Sequence, residues 1–166
     1  MSQPLYQALE LERQGRIKQA AESLRAAVKV NPSDVDLLRH LGRLLLQTGQ
    51  PQEAESILRQ AQLRRPKSAE ILTNRGVALA LTGNTKKALS LLEKAVAVQP
   101  DYVLAHFNFG NTLQLLHRHE AAVAAFEAAI RLEPKFVDSH VNIAVSLLAL
   151  KRPGDAASSC EAALSL

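Results

Sequence analysis

The chain has 166 residues, with 20 Lys and Arg against 16 Asp and Glu, a net charge of +4 and an aromatic content of 4%. That length holds one ordinary domain or one short repeat array, and a hydrophobic content of 47% excludes a disordered chain. The single cysteine, Cys160, excludes a disulfide scaffold, and apolar runs such as Val77 to Leu81 end far short of the roughly 20 residues that cross a bilayer. The start, Met1-Ser2-Gln3-Pro4, has no basic stretch followed by an apolar one. No secretory leader and no membrane partner are therefore expected, and the expected location is the cytoplasm.

Four prolines, Pro32, Pro66, Pro100 and Pro134, stand 34 residues apart. Gly15, Gly49 and Gly83 keep that interval, as do Gly42, Gly76 and Gly110. So do Ala20, Ala54, Ala88, Ala122 and Ala156, and likewise Ala27, Ala61, Ala95, Ala129 and Ala163. These ladders divide the chain into five copies, 1–34, 35–68, 69–102, 103–136 and a clipped 137–166. A residue's "position" is its place within its copy, equal to its number in the first.

Apolar residues at positions 4, 7, 8 and 11 share one face of a helix. The first copy is degenerate there, with Pro4 and Gln7. The second is the plainest: Leu38, Leu41, Gly42 and Leu45 make the face, Gly49 ends the helix, and Pro51 sits near the start of the next. Ala54, Leu58 and Ala61, at positions 20, 24 and 27, supply the second helix, which Pro66 halts. The third copy has Arg75 at position 7, the fourth and fifth have His106 and His140 at position 4, and the last has Cys160 at position 24. Small residues at positions 8, 20 and 27 let helix axes approach closely, where a bulkier side chain would cost about 1–3 kcal/mol. Nothing alternates as a strand does, so the expected fold is all-α. One helix pair cannot bury its own apolar face, so the copies must stack into a solenoid.

At about 100° per residue, positions 2, 6, 9 and 13 lie opposite the packing face. They read Asp36, His40, Arg43 and Gln47, then Glu70, Asn74, Val77 and Leu81. The fourth copy gives Leu104, Asn108, Asn111 and Leu115, and the fifth Asp138, Asn142, Val145 and Ala149. Asn74, Asn108 and Asn142 recur at position 6 although Asn is a mediocre helix former. Each offers a donor and an acceptor to a peptide group of any sequence; the alternative is that each bonds within its repeat and helps stacking. Phe107, Tyr102 and Phe136 either add aromatic surface beside this row or pack against the neighbouring copy. Arg39 and Arg43, with His40 beside them, make the second copy's face basic and suit an acidic ligand, unless they pair with Asp36.

A 34-residue helix–turn–helix with Gly or Ala at position 8, Ala at 20 and 27, an apolar residue at 24 and Pro at 32 resembles the tetratricopeptide repeat, over the whole chain. The resemblance implies a right-handed superhelical solenoid whose first helices line a concave groove that binds proteins or peptides. The asparagine row, with Asn111 beside it, is similar to the ladder in the superhelix of O-GlcNAc transferase and some import receptors. The two-carboxylate clamp of some relatives needs Lys and Asn on one first helix, Asn on the next, and Lys and Arg on a third. No three successive copies supply that set.

Nothing in the sequence points to catalysis, a cofactor or a metal. His40, His106, His117, His119 and His140 lack the spacing of a zinc-protease helix, His117 and His119 flank a turn, and Cys160 is expected to be a core residue with no base nearby. Arg64-Arg65-Pro66-Lys67 reads as a solvated turn, and so few aromatics give no stacking platform for nucleic acid. The last copy stops at position 30, which leaves Ala157, Cys160 and Leu164 partly exposed. The expectation is either an N-terminal fragment of a longer protein or an end that packs on another copy. The expected function is a non-enzymatic protein- or peptide-binding scaffold, with Asn74, Asn108, Asn111, Asn142, Phe107, Arg39, Arg43, His40 and Leu104 as groove residues. The alternatives are the substrate-recruiting region of a larger bacterial glycosyltransferase or sulfotransferase, and a self-assembly module acting through Ala157, Cys160 and Leu164.

Overall fold

The computed structural model describes residues 2–166; Met1, with which the first copy opens, lies outside them. Each copy forms two helices: α1 (Gln3–Arg13) and α2 (Ile17–Val30), α3 (Val35–Gln47) and α4 (Pro51–Arg64), α5 (Ala69–Leu81) and α6 (Thr85–Val98), α7 (Val103–Leu115) and α8 (His119–Leu132), α9 (Val137–Ala149) and α10 (Pro153–Leu164). Every helix packs on its sequence neighbours. First helices also approach the first helices of adjacent copies backbone to backbone, whereas no two second helices come that close among the described residues. The stack is therefore tighter along the first helices than along the second, which curves it with the first helices inside.

The turn between the two helices of a copy is the same in all five. The backbone N–H at position 16 donates to the carbonyl at position 11 over 2.8–2.9 Å, from Arg16 to Leu11 in the first copy through Arg152 to Leu147 in the last. This bond closes the helix end through a left-handed residue at position 15. Gly15, Gly49 and Gly83 hold φ between 72 and 82°, and His117 and Lys151 hold 56 and 59° in the last two copies. A side chain in that conformation costs about 1–2 kcal/mol.

The two helices of a copy touch at position 8. A methyl group built on Gly110 would stand 2.5 Å from Phe126 Cε1, and one on Gly76 would stand 2.8 Å from Leu92 Cγ; Gly42 meets Leu58 in the same way. Leu24, Leu58, Leu92 and Phe126, all at position 24, are fully buried. Cys160 takes that position in the last copy and is exposed, contrary to the core role expected of it. In earlier copies the following helix pair covers position 24, and among the described residues no helix pair follows α10.

The core also has a stripe that the period did not reveal. Positions 3 and 10 are buried throughout the second to fifth copies, as Leu37 and Leu44, Ile71 and Ala78, Ala105 and Thr112, and Ser139 and Ser146. They lie on the side where one first helix meets another. The odd residues at packing positions are explained by specific bonds. Arg75 reaches across to α4, donating to Glu55 Oε1 at 2.8 and 3.0 Å and to Gln62 Oε1 at 2.5 Å. His106 Nε2 donates to the Pro100 carbonyl at 2.8 Å and His140 Nε2 to the Pro134 carbonyl at 3.2 Å. In these two copies, as in the first, the first helix lacks a side-chain cap; Tyr102 and Phe136 stand where Asp34 and Ser68 cap α3 and α5.

Relieving the left-handed strain should stabilise the array. His117→Gly or Lys151→Gly is expected to add about 0.5–1 kcal/mol, raising the thermal midpoint by roughly 1–4 °C. Gly110→Ala, which drives a methyl into a rigid ring, is expected to lower stability by about 1–3 kcal/mol in the same melting experiment.

Candidate functional site

The face of the first helices turned away from their partners consists of positions 2, 6, 9 and 13, and none of these residues in the second to fifth copies is buried. It divides into a charged part and an uncharged one. In the charged part, Arg39 is bound by Glu70 of the next copy and lies 3.8 Å from Asp36. Arg43 is bound by Glu12 of the preceding copy, and Asp36 accepts from Arg65 at 2.8 Å. The two arginines expected to attract an acidic ligand are thus held by carboxylates of adjacent copies.

His40 lies between them. Burial, with the Arg39 and Arg43 charges adding to it, holds its pKa below the ordinary 6.5, although Glu12 and Glu70 oppose the shift. Its Nδ1 is buried without a partner, as is Oε1 of Glu12. Tyr102, half-buried beside the Arg39–Glu70 pair, has its phenol pushed up by burial and then by the Glu70 charge.

The uncharged part runs from Asn74 of α5 through α7 and, past Asp138, resumes at Asn142 of α9. Asn74, Asn108 and Asn142 stand in line on this face, but their amides are engaged differently. Asn108 Nδ2 donates to the Leu104 carbonyl of its own helix at 2.7 Å. Asn142 Nδ2 donates to Asn111 Oδ1 of the preceding copy at 3.1 Å, and Asn74 Nδ2 is buried without a partner. Position 9 decides the difference: Asn111 offers an acceptor to Asn142, whereas Val77 has none to offer Asn108. Between the amides stand exposed apolar residues, Leu81 at 61%, Leu104 at 44%, Leu115 at 58% and Val145 at 52% exposure.

Phe107 does not stand free in the groove. Its ring packs 5.9 Å from Phe126 and edge-on at 5.0 Å from Phe136, bracing α7 against α8 and the entry to α9. At the far end Ala157, Cys160 and Leu164 are all exposed, Leu164 at 89%.

Sequence reasoning missed Glu12 as the partner of Arg43, and Gln114, whose Nε2 donates to the Asn142 carbonyl at 2.9 Å and to Ser146 Oγ at 2.7 Å. A signal was present. Glu12–Arg43, Arg39–Glu70 and Asn111–Asn142 are each 31 residues apart, one repeat less one helical turn. Complementary residues at that interval meet between stacked first helices.

Three tetratricopeptide-repeat family models match the chain, over residues 11–73, 67–135 and 107–166. The chain belongs to the tetratricopeptide-repeat family. No curated protein matches it by sequence. Among solved structures, a thermophilic tetratricopeptide-repeat protein of Thermus thermophilus is 25% identical, with 98% of this chain and 89% of that one covered and a TM-score of 0.83. Residues 41 to the end of MamA from Desulfovibrio magneticus RS-1 are 20% identical, with 100% and 96% covered and a TM-score of 0.81. A further MamA structure is 22% identical, with 95% and 92% covered and a TM-score of 0.80. At these identities the two MamA structures share the solenoid and no more. Among the described residues no helix is long and apolar enough to cross a membrane, and no group of three His, Cys, Asp or Glu is placed to hold a metal ion.

The lowered pKa of His40 has a definite sign. As pH falls, the unfolded chain takes up this proton before the folded one. The stability this supplies is complete above pH 6.5 and is lost as pH drops through the lower folded value. Between about pH 7.5 and about pH 5.5 the urea midpoint of the native chain should fall more than that of His40→Gln.

Proposed function

We propose that the chain is a non-catalytic scaffold whose first-helix groove holds an extended segment of another protein. The observation that carries this reading is the strip along α5, α7 and α9, uncharged between Glu70 and Asp138, in which amides at position 6 alternate with exposed leucine and valine. A strip of this kind wastes helix propensity and leaves apolar surface in water unless something covers it. Amide groups not used inside the array remain for a ligand: Asn111 has a donor, and Asn108 and Asn142 have acceptors. Affinity comes from these bonds to backbone and from burial of Leu104, Leu115 and their neighbours. With their charges matched inside the array, Arg39 and Arg43 set register between copies, and His40 lies between them at the groove's charged part.

The test is a peptide display selected on the native chain, followed by affinity measurements on the recovered peptides. Asn108→Ala combined with Asn142→Ala is expected to weaken binding by about tenfold or more, with the thermal midpoint moving by less than about 3 °C. A double variant that unfolds, with binding tracking its stability, would show the asparagines to be structural and sink the reading.

A second reading, self-association, is favoured by the apolar surface at Ala157, Cys160 and Leu164. Sedimentation velocity across a range of concentrations should then show reversible association that Leu164→Asp abolishes; concentration-independent monomer would end it.

A further inference from the structure

We propose that the segment held by this groove is uncharged and runs in the polyproline II conformation, with an apolar side chain at every third residue. The inference rests on the groove reading above and adds the chemistry and shape of the occupant.

Charge comes first. Between Glu70, which is bound to Arg39, and Asp138, the positions facing the groove carry no charge. They are asparagines and the apolar Val77, Leu81, Leu104 and Leu115, and beyond Asp138 the strip resumes with Asn142 and Val145. The charges of the first half are matched internally, Arg43 to Glu12, Arg39 to Glu70 and Arg65 to Asp36. An ionised side chain laid on Leu81, Leu104 and Leu115 would lose its hydration and find no counter-charge. Over Asn74 to Leu115 the complementary surface is a neutral one.

Spacing comes second. The apolar docking points keep the period of the copies: Leu81 and Leu115 stand one copy apart at position 13, and Val77 and Val145 stand two copies apart at position 9, with Asn111 between them. Adjacent first helices pack backbone to backbone, which puts their axes about 8–10 Å apart. A polyproline II segment returns a side chain to the same face every three residues at 3.1 Å each, a repeat of about 9 Å. A β-strand returns one every two residues, about 6.6 Å, and falls out of step within one copy. An α-helix has its backbone groups bonded internally, so the amide row would have nothing to bind. Polyproline II leaves every carbonyl and N–H unbonded. Asn111 Nδ2 then donates to a ligand carbonyl, and Asn108 and Asn142 Oδ1 accept from ligand N–H groups.

The probe is a labelled peptide of four Leu-Pro-Ala triplets, titrated against the native chain by fluorescence anisotropy. Two comparison peptides accompany it: one of the same composition with leucine at alternate residues, and one of four Glu-Pro-Ala triplets. The triplet-leucine peptide is expected to bind at least tenfold more tightly than either, and Leu115→Glu, at an exposed site, to abolish that binding with the melting curve unchanged. Equal or tighter binding of the alternating peptide, still lost in Leu115→Glu, overturns the polyproline II inference and leaves the groove reading standing. Binding of the leucine triplets that Leu115→Glu does not change overturns both. Failure of all three peptides overturns the inference alone, since the groove reading is judged by peptides selected without a preset pattern.

Discussion

The close contact at position 8 fixes everything that follows. Where Gly110 lies under Phe126 and Gly76 under Leu92, there is no room for a side chain, so each first helix can seat on its second helix in only one rotation. That rotation turns positions 3 and 10 towards the preceding copy and positions 2, 6, 9 and 13 into the open. A helix rotated by one residue would bury a different set and expose leucines now in the core. The groove's chemistry is thus a consequence of a packing constraint that involves none of the groove's own residues.

The offset between stacked copies follows from the same seating. First helices meet with a shift of one turn, which brings residues 31 apart into contact and produces Glu12–Arg43, Arg39–Glu70 and Asn111–Asn142. These contacts differ in character from Arg25–Glu53, which ties α2 to α4 on the outer side. There the guanidinium donates to both carboxylate oxygens at 2.8 and 2.9 Å and holds the Glu53 carboxyl below its usual range. The outer pair spans helices whose backbones are apart, so it bridges a gap; the inner pairs lie over a contact that packing already makes. Inner polar residues set register between copies more than they add cohesion, because a partly exposed ion pair contributes roughly 0–1 kcal/mol.

The sequence makes the solenoid and its two faces legible for a physical reason. Period and helical phase are single-residue properties: Pro32 to Pro134 mark copy ends whatever surrounds them, and an angle of about 100° per residue assigns each side chain a direction. What could not be read in this way depends on pairs. Arg39 and Arg43 look basic until Glu70 and Glu12 are brought across from other copies, and Phe107 looks like groove surface until Phe136 arrives from the end of its own copy. Cys160 occupies a core position whose burial depends on a neighbour beyond it. Arg75, at a leucine position, is intelligible only beside Glu55 and Gln62. In each case the residue's type was plain and its partner was not.

The partial use of the amides bears on how such a groove discriminates. Asn108 turns one N–H back to Leu104, and Asn142 gives one to Asn111, so each keeps part of its capacity and has its orientation fixed. An amide already held in place loses less rotational freedom when it binds than a free one, which offsets part of the cost of association. Yet an amide that bonds to backbone cannot tell one sequence from another, because every peptide unit presents the same groups. If the groove holds a chain as proposed, selection falls to Leu81, Leu104, Leu115 and Val145, whose contribution scales with the apolar area that a ligand covers, at about 25 cal/mol per Å². In the proposed reading, the row of asparagines sets where a chain lies, and the leucines beside it set which chain lies there.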